Sequence, residues 1–351
     1  MHRVTAKAHD ASDKCVLRWP SVLLAAILLF PLLAQEPESS TTIRANVPLV
    51  LAPVTVTDKK GNFIDGLQVE DFRLNDDGVP QQIRMDTSDT VLAPVSLMVL
   101  IQASGISAPV LARTQQVGGM IKPLVIGERG RAAVIEFDDE IRVRTDFTAD
   151  STIIRSAFEG TRSRSIRTAR LIDAVMEGVK MLETRPPNNR RVMLILSESR
   201  DRGSKTKLSE AVELAQRAGV AIYPLTYSVQ ASTFVSKPSD SPSMPGGDNN
   251  VDFVGGIVEL GRIAKANAAA VLARSTGGHH MAFLTLGSLE EAISRTGEEI
   301  HSQYLLSFTP TLGKRAKAKA GKKDEFHEIQ VAIPSRPDAV IRVRPGYWPE
   351  K

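Results

Sequence analysis

The spacing of apolar residues changes period several times along this chain. From Val95 to Ile101 the residues Val-Ser-Leu-Met-Val-Leu-Ile form a nearly unbroken apolar run, the pattern of a strand buried on both faces of a parallel sheet. The run stops at a small polar corner, Gln102-Ala103-Ser104-Gly105, and Val110, Leu111, Thr114, Val117 and Ile121 then follow at helical spacing. The same strand-then-helix rhythm predicts strands over 131–137, 192–196, 220–227 and 281–284. It predicts helices over 152–158, 169–182, 208–218, 257–274 and 288–302. Residues 141–145 alternate apolar and polar after the turn Asp138-Asp139-Glu140, as an antiparallel edge strand does. Both ends of the chain change to short β patterns, over 47–57, 72–74 and 82–86 at the front and 304–309, 328–333 and 340–344 at the back.

Repeated β-then-α segments predict an α/β fold, a doubly wound and mostly parallel sheet of Rossmann-like type. Neither β end has enough apolar surface to bury a core alone, so the two are expected to build one small β module together. The domain division that follows is a leader over 1–34, a linker over 35–46, an N-terminal β segment over 47–90, the α/β domain over 94–302 and a C-terminal β segment over 303–351. Residues 230–256, rich in Ser, Pro, Gly, Asp and Asn, are expected to be a mobile surface insert.

Arg3, Lys7, Lys14 and Arg18 precede an apolar run from Trp19 to Ala34 that contains Pro20 and Pro31. A basic stretch, a short apolar stretch and a small residue at the exit are the parts of a secretory signal peptide. The run is shorter than the roughly 20 residues of a spanning helix. The expectation is therefore export, with cleavage near Ala34, to a periplasmic or secreted location. The alternative is an uncleaved membrane anchor, the one route by which this chain would meet a membrane. The single cysteine, Cys15, lies in the leader, so a mature chain has no disulfide and no thiolate metal site. A formal charge of +4 and 24% charged residues are mild for 351 residues and do not argue for nucleic acid.

The corner after Ile101 carries a family resemblance. It resembles the opening of a von Willebrand factor type A domain, whose first strand ends in Asp-x-Ser-x-Ser and whose upper loops hold a divalent metal. Over most of its length the chain is similar to the VWFA-related family of bacterial exported proteins. The phrases that carry this are Val54-Thr-Val-Thr-Asp-Lys-Lys-Gly, Glu70-Asp-Phe-Arg-Leu-Asn-Asp-Asp-Gly, Glu136-Phe-Asp-Asp-Glu-Ile-Arg-Val, Leu194-Ile-Leu-Ser-Glu-Ser-Arg-Asp, Ser275-Thr-Gly-Gly, Gln303-Tyr-Leu-Leu-Ser-Phe-Thr-Pro and Arg344-Pro-Gly-Tyr. The resemblance implies a non-enzymatic interaction module that binds a protein partner through loops at the carboxyl ends of the strands. It places the metal site's first Asp on Gln102, its two serines on Ser104 and Ile106, its Thr loop on Thr168 or Ala169 and its last Asp on Glu198. Ser104 and Glu198 are then the only weak metal candidates, joined by Thr168 if the loop shifts. One carboxylate among so few oxygens is too little for tight Mg²⁺ or Ca²⁺ binding. The expectation is a degenerate metal-dependent adhesion site (MIDAS) and no cofactor, with a Mg²⁺- or Ca²⁺-dependent adhesion module as the alternative.

A remoter alternative makes Ser104 the nucleophile of a serine hydrolase. The Gly-x-Ser-x-Gly frame of the hydrolase elbow is missing, with Gln102 and Ile106 where both glycines belong, and nothing in the spacing of His280 or His301 favours either as a base. Arg162, Arg164 and Arg167 form a basic stretch near the expected upper loops, a candidate contact for an acidic partner. The run 314–323, rich in Lys, Arg and Ala, has no interleaved aromatics and so offers no stacking surface for nucleic acid. Phosphate loops of the Gly-x-x-x-x-Gly-Lys kind, His-Glu-x-x-His and Cys-x-x-Cys are absent.

Overall fold

The computed structural model describes residues 49–85, 93–164, 167–227, 267–311 and 326–348. The leader, the linker, the insert, the start of the helix expected over 257–274 and the basic run 314–323 lie outside the described residues.

The strands, in chain order, are β1 (Val50–Thr57), β2 (Arg73–Asp76), β3 (Val79–Pro80), β4 (Ile83–Met85), β5 (Val95–Gln102), β6 (Arg131–Phe137), β7 (Ile141–Thr148), β8 (Arg190–Ser197), β9 (Val220–Thr226), β10 (Met281–Ala282), β11 (Tyr304–Phe308), β12 (His327–Ala332), β13 (Val340–Val343) and β14 (Gly346–Tyr347). The α-helices are α1 (Ala108–Gln116), α2 (Ser151–Glu159), α3 (Leu171–Glu183), α4 (Leu208–Arg217), α5 (Ala268–Thr276) and α6 (Leu286–His301).

The central sheet has the order β10-β9-β8-β5-β6-β7. Its first five strands are parallel, and β7 runs antiparallel along the edge of β6. All eight residues of β5 are buried, which accounts for the unbroken apolar run. Leu97, Val99 and Ile101 enter the core on one face, with α1, α2 and α6, while Met98 and Leu100 enter the core on the other, with α3, α4 and α5. Gly178 lets α3 lie close, because a Cβ there would stand 2.8 Å from Met193 Cε and 3.0 Å from Met98 Cγ. The helix expected after Pro109 is shorter than its apolar spacing implies. Past Gln116 it tightens into a 3₁₀ turn over Val117–Met120 and then widens over Ile121–Ile126, a stretch that contains Gly118, Gly119 and Pro123, all poor helix formers.

The chain ends form two further four-stranded sheets, β13-β1-β11-β4 and β14-β12-β2-β3. Strand β1 pairs antiparallel with both β11 and β13, and β2 with β12, so each sheet is built from strands of both chain ends, as the expected β module requires. Val54, Val56, Phe72, Leu74, Leu306, Phe308, Ile329 and Tyr347 are buried between them, an inner face of alternating residues as in a β-sandwich. Buried Glu299 of α6 joins this module to the α/β core, accepting from Arg342 Nη2 at 2.7 Å and from Thr55 Oγ1 at 3.4 Å.

Candidate functional site

The strand order reverses at β5. From β5 the chain passes outward to β6 and β7 on one side, then returns to β8 on the other. The crevice beyond the carboxyl ends of strands at such a switch point is where doubly wound sheets take their ligands. Gln102 ends β5, and Ser197, with Glu198 next in sequence, ends β8.

A chain of hydrogen bonds crosses this crevice. The Glu198 backbone N–H donates to Gln102 Oε1 at 2.9 Å, and Gln102 Nε2 donates to Ser104 Oγ at 2.8 Å. Ser104 Oγ lies 3.3 Å from Ser107 Oγ, which accepts from the Tyr227 hydroxyl at 2.8 Å. Gln102, Ser104, Ser107 and Tyr227 are all buried. Burial pushes the Tyr227 phenol above its ordinary range, so it stays protonated and donates. An amide can donate and accept at once, and Gln102 uses both ends. Ile106, on the same corner, is half-buried and brings no oxygen.

The Glu198 carboxylate is occupied too. Arg202 Nε donates to Glu198 Oε2 at 2.9 Å, and Nη2 lies 3.4 Å from Oε1. The bond to Glu198 raises the Arg202 pKa further above its already high value. Ala169 is fully buried and pairs with Arg202 backbone to backbone, at 2.9 Å in both directions. Thr168 is half-buried nearby, where a Cβ on Gly203 would stand 2.8 Å from its Cγ2. Asp173, in the first turn of α3, accepts from the backbone N–H groups of Lys205 and Thr206 at 3.0 and 2.9 Å, and from Arg170 Nε at 2.7 Å. Burial alone would raise its pKa, but these hydrogen bonds outweigh it and hold the carboxyl at about 2. Gln102, Ser104, Ala169 and Glu198 are therefore tied to one another, directly or through Arg202, by short polar contacts, and Thr168 lies beside them.

Part of the arginine stretch is engaged within the chain itself. Arg164 is not a free cation, because its guanidinium lies within 3.6–4.0 Å of the carboxylates of Glu136, Asp138 and Glu140. Arg162 donates to the carbonyls of Glu159 and Thr161. Arg167 is exposed. Of these acids, Asp138 and Glu140 belong to the acidic turn expected from the sequence, and Glu136 joins them from β6. Glu136 is 1% exposed, between Arg142, Arg144 and Arg164, and Asp138, also buried, receives a two-pronged bond from Arg142 at 2.6–2.8 Å. Burial pushes the Asp138 carboxyl up. A signal was available, since the alternation of 141–145 puts Arg142 and Arg144 on one face, and register pairs Arg142 with Glu136.

Ser104 has no access to solvent, and its hydroxyl is bonded to Gln102 rather than to a histidine. His280 instead lies 2.8 Å from Thr226 Oγ1 and His279 lies 3.4 Å from Glu299, so the adjacent pair serve different partners. A second polar cluster lies in the β module, where Asp76, Asp77 and His327 bring one potential ligand atom each within 4.8 Å of one another.

No family model matches the chain, and no curated protein matches it. Solved structures similar to it include BatB from Bacteroides thetaiotaomicron, at 12% identity and a TM-score of 0.42, over 59% of this chain and 98% of that one. Another is a von Willebrand factor type A protein from Catenulispora acidiphila, at 12% identity and a TM-score of 0.44, over 65% of this chain and 49% of that protein's length. A third is the vWF domain of the type V pili tip protein Mfa5 from Porphyromonas gingivalis, at 12% identity and a TM-score of 0.41, over 60% of this chain and 96% of that one.

Proposed function

We propose that this chain is an exported, non-enzymatic protein-interaction module. Its binding surface is the crown of loops around Ile106, Thr168 and the neighbouring arginines, and it grips its partner without a bridging cation. The observation that carries this reading is the closed hydrogen-bond chain from Glu198 N–H through Gln102 to Ser104, with Arg202 on the Glu198 carboxylate. A hard divalent ion needs several oxygens and net negative charge. Here the amide of Gln102 is uncharged and bonded at both ends, Ile106 and Ala169 offer no side-chain oxygen, and the one carboxylate already faces a cation. These residues do not fit Mg²⁺ or Ca²⁺. What they supply is a rigid platform, and rigid loops bind at a smaller ordering cost.

Export rests on the basic and apolar pattern of residues 1–34, and no described helix is long and apolar enough to cross a membrane. The burial of Ser104 and the bond of its hydroxyl to Gln102 speak against Ser104 as a nucleophile.

The test replaces Ile106 with a photo-crosslinking amino acid in cells that export the chain, with and without EDTA. A discrete protein adduct of equal yield in both conditions is the expected result, lost when Arg162 and Arg167 are both changed to Glu. An adduct abolished by EDTA, or none at all, overturns the reading.

A further inference from the structure

The β module contains a cluster of possible metal ligands, in a different sheet from the one that carries the crown. Asp76 ends β2 and Asp77 opens the turn to β3. Asp77 and Gly78 both take positive φ, 49° and 76°, the backbone of a tight hairpin turn that favours Asp or Asn followed by Gly. His327 begins β12, whose next residues pair with β2, and its ring stacks on Tyr347 of β14 at 5.1 Å and 23°. Asp77 is fixed by two bonds to the same strand: its N–H donates to the Glu328 carbonyl at 2.9 Å, and its Oδ1 accepts from Glu328 N–H at 3.0 Å. Its Oδ2 faces His327 Nδ1 at 3.1 Å. Asp76 is 4% exposed; its Oδ2 accepts from the Tyr347 hydroxyl at 2.9 Å, while its Oδ1, which takes no hydrogen bond, lies 3.5 Å from the same His327 nitrogen.

We infer that Asp76 Oδ1, Asp77 Oδ2 and His327 Nδ1 form a structural site for a divalent transition-metal ion of the Zn²⁺ kind. Three observations carry this. The separations of 3.1 and 3.5 Å are close to the edges of a coordination tetrahedron, which run to about 3.3–3.6 Å for bonds of about 2.0–2.2 Å. One imidazole with two carboxylates suits zinc and its neighbours, whereas Mg²⁺ and Ca²⁺ prefer oxygen shells alone. The two carboxylates would balance the ion's charge, and a buried carboxylate oxygen without a donor is costly unless something positive meets it. Tyr347 is the supporting partner beyond the ligands: its hydroxyl holds Asp76, and its ring holds the imidazole plane. A water would complete the tetrahedron. Such an ion would pin the hairpin of the N-terminal segment to a strand from the far end of the chain, closing a loop from Asp77 to His327.

The rival explanation is an ion pair only, with a protonated imidazole between two carboxylates. The two are separated by stripping the full-length chain with chelator and titrating it with Zn²⁺ by calorimetry. Melting and the visible spectrum of the Co²⁺ form are recorded in parallel. We expect one Zn²⁺ per chain, a higher melting temperature and the intense visible bands of tetrahedral Co²⁺, with no response to Mg²⁺. Asp77→Asn keeps the positive φ and the bond to Glu328, and His327→Phe keeps the ring stack. Each should weaken zinc binding by at least about tenfold, while Glu198→Gln at the crown leaves it unchanged. Zinc binding that is absent, indifferent to Asp77→Asn and His327→Phe, or abolished by Glu198→Gln would overturn the assignment.

Discussion

The carboxyl edge of the central sheet and the corner of the β module both gather acids, yet they treat them differently. At the edge, most polar atoms meet hydrogen-bonding partners from the protein itself, and Glu136, whose two oxygens take no hydrogen bond, lies 3.6–3.9 Å from three arginines. Gln102 answers the Glu198 N–H and Ser104, Arg202 answers Glu198, Arg142 answers Asp138, and Asp173 takes three donors. At the corner, two adjacent carboxylates and an imidazole nitrogen converge within 4.8 Å, and Asp76 Oδ1 takes no hydrogen bond. The crevice at the switch point draws attention to the first place, but the donor chemistry of a metal site is better met at the second. A switch point supplies a crevice; whether it holds a ligand depends on the charge and valence of the side chains lining it.

If this contrast holds, the two regions should respond unequally to loss of one polar group. Gln102→Leu strands the buried Glu198 N–H and removes the donor to Ser104, at a cost of about 1–3 kcal/mol from the stranded group alone. In the metal-free chain, Asp77→Asn relieves repulsion between adjacent carboxylates and keeps the turn, so its cost should stay under about 1 kcal/mol. Urea unfolding of both variants checks the order, and a larger loss for Asp77→Asn would break the comparison.

A smaller effect is expected in acid. The Asp173 carboxyl, held at about 2 against an ordinary value of 3.8, stabilises the fold fully above the unfolded value. That contribution is lost as the pH falls toward 2. Asp173→Asn should therefore lower the melting temperature by a few degrees at pH 6 and by progressively less at lower pH. A deficit that stays constant down to pH 2 would mean that the carboxylate's hydrogen bonds to Lys205, Thr206 and Arg170 contribute nothing through its charge.

Much of the scaffold was legible in the sequence because burial on both faces of β5 leaves an unmistakable run from Val95 to Ile101, and because the flanking helices keep a clear apolar stripe. The ends of elements were less so. The helix after Pro109 gives way at Gln116, where Gly118, Gly119 and Pro123 override an apolar spacing that continues to Ile121. The absence of an Asp at 102 was plain, but what Gln102 does instead was not, because its partner Glu198 comes from another strand. Ser107 and Tyr227 were missed for the same reason. Asp76 and Asp77 looked like ordinary turn residues in Asn75-Asp-Asp-Gly, and only the pairing of β2 with β12 brings His327 to them. The charge pattern did not show the acidic partners of Arg164, which come from β6 and its turn and include the buried Glu136.

The most direct measurement of the central claim is thermal melting of the Asp77→Asn chain, in which the corner is disabled, across a Mg²⁺ titration and again with EDTA. If hydrogen bonds and Arg202 have taken over the crown, the melting temperature stays unchanged throughout, and Glu198→Gln in the same background does not alter that flat response. A saturable rise with Mg²⁺ that EDTA reverses and Glu198→Gln removes would contradict the account.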